Sequence, residues 1–215
     1  MNYPLSKYLF LAVMGCLCSV SSVQAQTGYL VEAEDFQFKG GWQVERVPGE
    51  QVSGNTILRV FSGKVKAADA LTVINSKTAG TYTVWVRTPD YPANKPGTRL
   101  FQVAINEQPL EKESGQHGKE GYYWEKAGTT TLDAGENVVA LQDTKGNFGR
   151  CDAILLATAG FDPNTEPLAS LQRFKTAPLT VKYIPPAQAT AAVKSISTQG
   201  PLSRVLAIVN SGFNS

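Results

Sequence analysis

Residues 28–36 (GYLVEAEDF) alternate with a period of two: Tyr29, Val31 and Ala33 share one parity, Leu30, Glu32 and Glu34 the other. On an extended strand successive side chains point to opposite faces. The pattern therefore predicts a strand carrying Glu32 and Glu34 side by side on one face. A second run, residues 153–156 (AILL), is wholly apolar and is headed by another carboxylate, Asp152. A first and a last strand lying next to each other would gather all three acids. Carboxylates that close repel one another. Solvation or capping by Lys and Arg relieves the repulsion, and so does a bound cation, for which hard oxygen ligands favour calcium; the spacing leaves both open.

Similar runs fill the chain between these two. Residues 42–47 (WQVERV), 57–60 (ILRV), 70–74 (ALTVI), 81–87 (TYTVWVR), 100–105 (LFQVAI), 122–126 (YYWEK), 129–132 (TTTL) and the run after Gly135 (ENVVAL) read as short strands between turn residues. Pro89, Pro92 and Pro96 predict an irregular loop, since proline donates nothing to a ladder. Residues 106–109 (NEQP) predict a hairpin turn, and the glycine-rich stretch 114–121 (SGQHGKEG) a mobile exposed loop. No helical period long enough to name occurs between Gln26 and Ala157. The expectation is an all-β sandwich or barrel, spanning residues 26–160. Beyond it, residues 168–174 (LASLQRF) read as one or two helical turns and 187–193 as a linker. Residues 203–209 (SRVLAIV) are a lone strand candidate, unstable unpaired. Residues 161–215 are thus either a linker into a further domain or a tail packed back on the sandwich.

Composition narrows this little. The 215 residues are 42% hydrophobic and 18% charged with a formal net charge of +2, which suits one well-buried domain. No basic run interleaves with aromatics, so nothing argues for nucleic acid or a membrane surface. Residues 8–20 form an apolar stretch too short to span a bilayer, preceded by Lys7 and followed by VQA at 23–25. That is the pattern of an export signal (residues 1–25) cleaved before Gln26. The protein is expected to be secreted or periplasmic, with lipoprotein processing at Cys16 the weaker alternative. Cleavage leaves Cys151 as the remaining cysteine, so no disulfide framework is expected. On a strand Cys151 faces away from Asp152 and reads as a small buried hydrophobe.

Catalytic constellations are missing. A single histidine, His117, excludes multi-histidine metal motifs, and neither a Gly-x-Ser-x-Gly elbow nor a phosphate-binding glycine loop occurs. A glycosidase sets two carboxylates across a cleft, whereas Glu32 and Glu34 are strand neighbours, so no enzyme activity is expected within this chain. The aromatic residues near loops, Trp42, Tyr91, Tyr122, Tyr123 and Trp124, suit stacking on the C–H face of a pyranose. Core packing is the competing role for each; Trp85, in mid-strand, reads as core.

Four motifs carry a resemblance. VEAEDF at 31–36, GTYTVWVR at 80–87, GENVVAL at 135–141 and CDAILL at 151–156 resemble, in order and spacing, strands of carbohydrate-binding modules of families six and thirty-five. The likeness covers roughly residues 29–157. It implies a jelly-roll β-sandwich of the galactose-binding-domain-like kind, with a structural calcium between the first and last strands and Glu32, Glu34 and Asp152 as its side-chain ligands. It further implies non-catalytic binding of a polysaccharide or oligosaccharide, beside a linked or partner catalytic domain. In the family an asparagine often stands two positions ahead of the last acid; here that position is Arg150, with Asn147 upstream. Arg150 could fork onto the carboxylate of an acidic sugar, or could neutralise an acid such as Asp152 or Glu34. The ligand-binding candidates are Trp42, Tyr122, Tyr123, Trp124, Asn147 and Arg150. Two alternatives stand beside glycan binding: a structural accessory domain without a sugar site, and the N-terminal part of a truncated enzyme.

Overall fold

The computed structural model describes residues 28–48, 52–61, 63, 65–146 and 148–177. The export signal, Asn147 and the strand candidate at 203–209 lie outside the described residues. Eleven strands make an all-β architecture: β1 (Gly28–Glu32), β2 (Gln43–Arg46), β3 (Thr56–Arg59), β4 (Ala70–Ser76), β5 (Gly80–Asp90), β6 (Gln102–Ile105), β7 (Gln108–Pro109), β8 (Gly121–Leu132), β9 (Gly135–Gln142), β10 (Arg150–Cys151) and β11 (Ala153–Ala157). One sheet has the order β1-β11-β5-β8, a second β4-β9-β6-β7, and a short third β10-β3-β2. Every pairing between these strands is antiparallel. The fold is a jelly-roll β-sandwich, as the resemblance implies, within the all-β class that the strand pattern predicts.

The alternation of β5 shows why the layers pack. Tyr82, Val84 and Val86 point inward and meet Val103, Ile105, Val139 and Leu141 of the opposing sheet, with Ile154 and Leu156 of β11 beside them. Trp85 and Leu155, of the other parity, lie on the outer face. First and last strands do lie side by side, with Glu32 opposite Ala153 and Gly28 opposite Ala157. The two short runs around Trp124 and Thr130 are one twelve-residue strand, β8, interrupted where Ala127 bulges between the pairings of Val84 and Trp85. The β6–β7 turn puts Asn106 (φ 49°) and Glu107 (φ 69°) in the left-handed region, the conformation of a tight two-residue hairpin.

One stretch is held more firmly than its composition suggests, and another decides between two expected alternatives. The loop at 114–121 is tied down: Ser114 is fully buried and pairs backbone to backbone with Phe101, and Asp90 accepts the Gly118 N–H at 2.8 Å. Gln116, Gly118, Lys119 and Glu120 remain exposed, as the composition predicts, while Ser114 and Gly115 are buried. The segment after Ala157 lies against the outer face of the β1-β11-β5-β8 sheet. Its short helical turn Leu168–Phe174, together with Phe161, packs Leu171 and Phe174 onto Leu30, Leu155 and Trp124. Thr176 then donates its N–H to the Leu30 carbonyl at 3.0 Å, and Lys175 bridges Leu30 in parallel, covering the free edge of β1. Gly28 makes room for this: a Cβ there would sit 2.9 Å from the Phe174 ring.

Candidate functional site

Two clusters carry chemistry, and the sheet order places both near β10 and its neighbours. The first is the acid centre. β1 ends at Glu32, and a 3-10 turn, Ala33–Asp35, carries Glu34. The expected common strand face for the two acids is therefore corrected: the extended alternation stops before Glu34. What gathers them is the turn Ser53–Asn55. Ser53 Oγ donates to Glu32 Oε1 at 2.6 Å, and Gly54 (φ 66°) lies so close to Glu34 that a Cβ would sit 2.5 Å from Oε1. Glu32 is 3% exposed and its Oε2 has no hydrogen-bond partner; Glu34 Oε2 is likewise buried and unpartnered. Burial raises the pKa of Glu34, against a hydrogen bond from Thr56.

Asp152 is differently placed. It is fully buried, accepts the Ser53 N–H at 2.9 and 3.1 Å, and pairs with Arg87 Nε at 2.8 Å. Burial pushes its carboxyl up to about 8, against the opposing pull of Arg87 and Ser53. Both of its oxygens thus have protein donors. Among the described residues no three acid, histidine or cysteine side chains converge as a ready metal cluster. The two orphaned oxygens of Glu32 and Glu34 fit a hard cation; the Asp152 carboxylate is already engaged. When fully ionised, three carboxylates against one guanidinium leave two negative charges, the amount a divalent cation neutralises.

Cys151 is fully buried in the core, on the opposite side from Asp152, with its thiol pushed well up by burial. It is the small buried hydrophobe its strand position predicts.

The second cluster lies around Arg150. Glu45 of β2 takes Arg59 Nη1 at 2.5 Å and stands 3.8 Å from Arg150 Nη2, so Arg150 balances neither Asp152 nor Glu34. Beside them is Arg99, 6% exposed, whose side-chain bonds within the described residues run to the Thr98 carbonyl and hydroxyl at 3.1 Å. Its Nε has no partner. The charges that act on it are Arg150 and Arg59; together with burial, which is the largest cause, they lower its pKa, with Tyr91 and Tyr122 opposing. The Tyr91 and Phe148 rings lie 5.2 and 5.4 Å from its guanidinium, and Arg59 stands 3.8 Å over Phe61. Phe61 and Phe148 are 48% and 39% exposed. Three arginines, one carboxylate and two open rings therefore share one corner.

The predicted stacking residues separate on burial. Trp42 is 2% exposed and packs edge-on to Phe101, so its faces are covered and it is core. Tyr122 is buried against Val52 and Ile57, and Trp124 under the C-terminal segment. These three are corrections: Tyr122 and Trp124 share the β8 parity that meets packed layers, and Trp42, just before β2, turns into the core. Tyr123 is exposed, with His117 edge-on and Lys119 over its ring. A cleft of about 480 Å³ runs between Tyr123, Trp124, Asn164, Glu166 and Leu168. Of its charged lining, Glu166 holds Arg173 at 2.6 Å and Arg87 holds Asp152, which leaves Glu120 as an exposed acid on the wall. Ser53, Arg87, Arg99, Glu45 and Phe61 were not singled out from the sequence. Arg87 and Arg99 do end or precede recognisable strands, while Ser53 and Phe61 carry no local signal.

No protein-family model matches the chain, and no curated protein matches it. Solved structures that resemble it are family 35 carbohydrate-binding modules and glycoside hydrolases that bear one. They include a GH26-CBM35 β-(1,4)-mannanase of Podospora anserina, with 20% identity and a TM-score of 0.49 over 64% of this chain. A family 35 carbohydrate binding module from Clostridium thermocellum has 15% identity and a TM-score of 0.49 over 60%. The CBM35 from Paenibacillus barcinonensis has 20% identity and a TM-score of 0.47 over 61%. The matched region covers 29% of the mannanase and 97% and 98% of the two isolated modules.

Proposed function

We propose that this protein is a non-catalytic carbohydrate-binding module that reads an acidic glycan at the arginine corner and carries a calcium ion at the acid centre. The observation that carries the glycan reading is Arg99, a nearly buried guanidinium with other arginines as its charged neighbours and no carboxylate bonded to it among the described residues. A buried charge without a counter-ion is costly, and the carboxylate of a uronate supplies one. Arg150, 3.8 Å from Glu45, offers a planar fork at the same place, and exposed Phe61 and Phe148 offer faces for the sugar C–H groups. The corner is shallow and few atoms are buried, so binding is weak and its selectivity comes from the charge. The acid centre contributes stability: a cation bound only to the folded state stabilises by about 2.7 kcal/mol at a hundredfold excess over its Kd. A linked or partner enzyme acting on polysaccharide, and a place outside the cell, belong to the same reading.

Calorimetry of the purified protein with matched uronate-containing and neutral oligosaccharides tests it. Acidic chains are expected to bind and neutral ones not. Arg150→Ala removes one charge-assisted contact, about 1.5–3 kcal/mol, and is expected to weaken acidic binding roughly ten- to hundredfold. Equal binding of neutral and acidic chains, or an Arg150→Ala variant with undiminished affinity, overturns the acidic reading.

A further inference from the structure

Gln172 lies 140 residues from Glu32 in sequence, in the segment folded over the sheet, yet its Nε2 donates to Glu32 Oε1 at 2.8 Å and to Ser53 Oγ at 3.1 Å. Gln172 is itself exposed, so it stands between the buried acids and solvent. The atoms left over are specific: Glu32 is 97% buried by its 3% exposure, and its second oxygen has no partner. Asp152 is held by Arg87 and Ser53. We infer that Gln172, rather than Asp152, supplies the third side-chain ligand of a calcium site formed with Glu32 and Glu34, so that the cation fastens the C-terminal segment to the sandwich. This rests on the reading of the acid centre as a calcium site.

The chemistry is that of an amide turned over. With no cation, an N–H donor is what a carboxylate oxygen wants from Gln172. With a cation between the two groups, the carbonyl oxygen of the same amide is the better neighbour, and amide carbonyls are ordinary calcium ligands. A half-turn about the last side-chain bond interchanges the two. Because Gln172 lies in the turn Leu168–Phe174 and is followed by the Thr176 to Leu30 bond, holding its side chain holds the strand-like run along β1. The consequence is linkage: whatever calcium gains from the docked segment, the segment gains from calcium.

Two variants and two readouts test this in the full chain. Calcium titration by calorimetry is run on the unaltered protein, Gln172→Leu and Gln172→Glu, and hydrogen exchange at the Lys175 and Thr176 amides is followed with calcium and with chelator. Calcium is expected to slow exchange at those amides about tenfold in the unaltered protein and not in Gln172→Leu, which binds calcium about tenfold more weakly. Gln172→Glu adds a carboxylate ligand and is expected to bind calcium more tightly while its chelated form melts earlier; a residue that only donates a hydrogen bond would not tighten binding. If the unaltered protein binds calcium but all three affinities agree and exchange ignores the ion, the role of Gln172 is overturned and the calcium site stands. If the unaltered protein takes up no calcium, the calcium site itself is overturned and the inference falls with it.

Discussion

At the residue scale, identity and neighbour decide role more than type does. Trp42 is the clearest case, since a tryptophan near a loop is what a sugar platform looks like in sequence. Its 2% exposure and its edge contact with Phe101 put it in the core instead. Trp42→Ala is expected to lower unfolding free energy by about 3–5 kcal/mol in urea titrations, and Trp42→Phe to leave glycan affinity unchanged. A Trp42→Phe variant that folds normally and loses glycan binding would show the ring to be part of the site. The two glutamates were legible as a pair because acids spaced by two stand out in an apolar run. Their geometry was not, because alternation assumes that the strand continues. The 3-10 turn at Ala33 depends on Ser53 and Gly54, which no period in the first strand could announce. Arg99 was invisible for another reason: an arginine at a strand margin usually points to water, and its burial is a property of the loops around it.

Elements show the opposite balance. Most strand positions were legible, because each is short, apolar on one parity and bounded by turn residues, and β5 in particular carries its two faces openly in TYTVWVR. The exposure of the loop at 114–121 was legible too, in its polar and glycine-rich composition; its ties to Phe101 and Asp90 were not. His117 is the pin of that loop. Its Nδ1 accepts the Lys119 N–H at 3.2 Å, so the ring proton sits on Nε2 and is given to the Thr88 carbonyl at 3.0 Å. Burial holds the imidazole below its ordinary 6.5, with Asp90 opposing and Lys119 assisting. The folded state thus resists a proton that the unfolded chain accepts. Its contribution is intact above the unfolded value and is lost as pH falls through the folded one. Asp152, raised to about 8, pulls the other way over the same window, so the His117 contribution is read as a difference. Between about pH 7 and about pH 5 the unaltered protein is expected to lose melting temperature relative to His117→Gln, which keeps an N–H for Thr88 but does not titrate; superimposable pH profiles would remove His117 from the account.

For the whole molecule the sandwich itself was legible, as four ordered motifs and a strand count, and its cover was legible as one of two alternatives. The choice between linker and packed tail stayed open because prolines punctuate residues 161–177 and the few apolar side chains that matter, Phe161, Leu171 and Phe174, are too far apart to form a period. They meet only because the outer face of the sheet, with Leu30, Leu155 and Trp85, is itself apolar and needs covering. Leu171→Ala is expected to lower unfolding free energy by roughly 2–5 kcal/mol by equilibrium urea unfolding, where the same change in a true linker would cost nothing. The cover also sets how the sandwich would carry a load. Lys175 and Thr176 travel alongside β1 in the same direction. A pull on Thr176 away from Gly28 therefore runs along both segments at once. Tension applied through both ends would slide the two segments along one another and load their contacts together, and would not peel them apart one at a time.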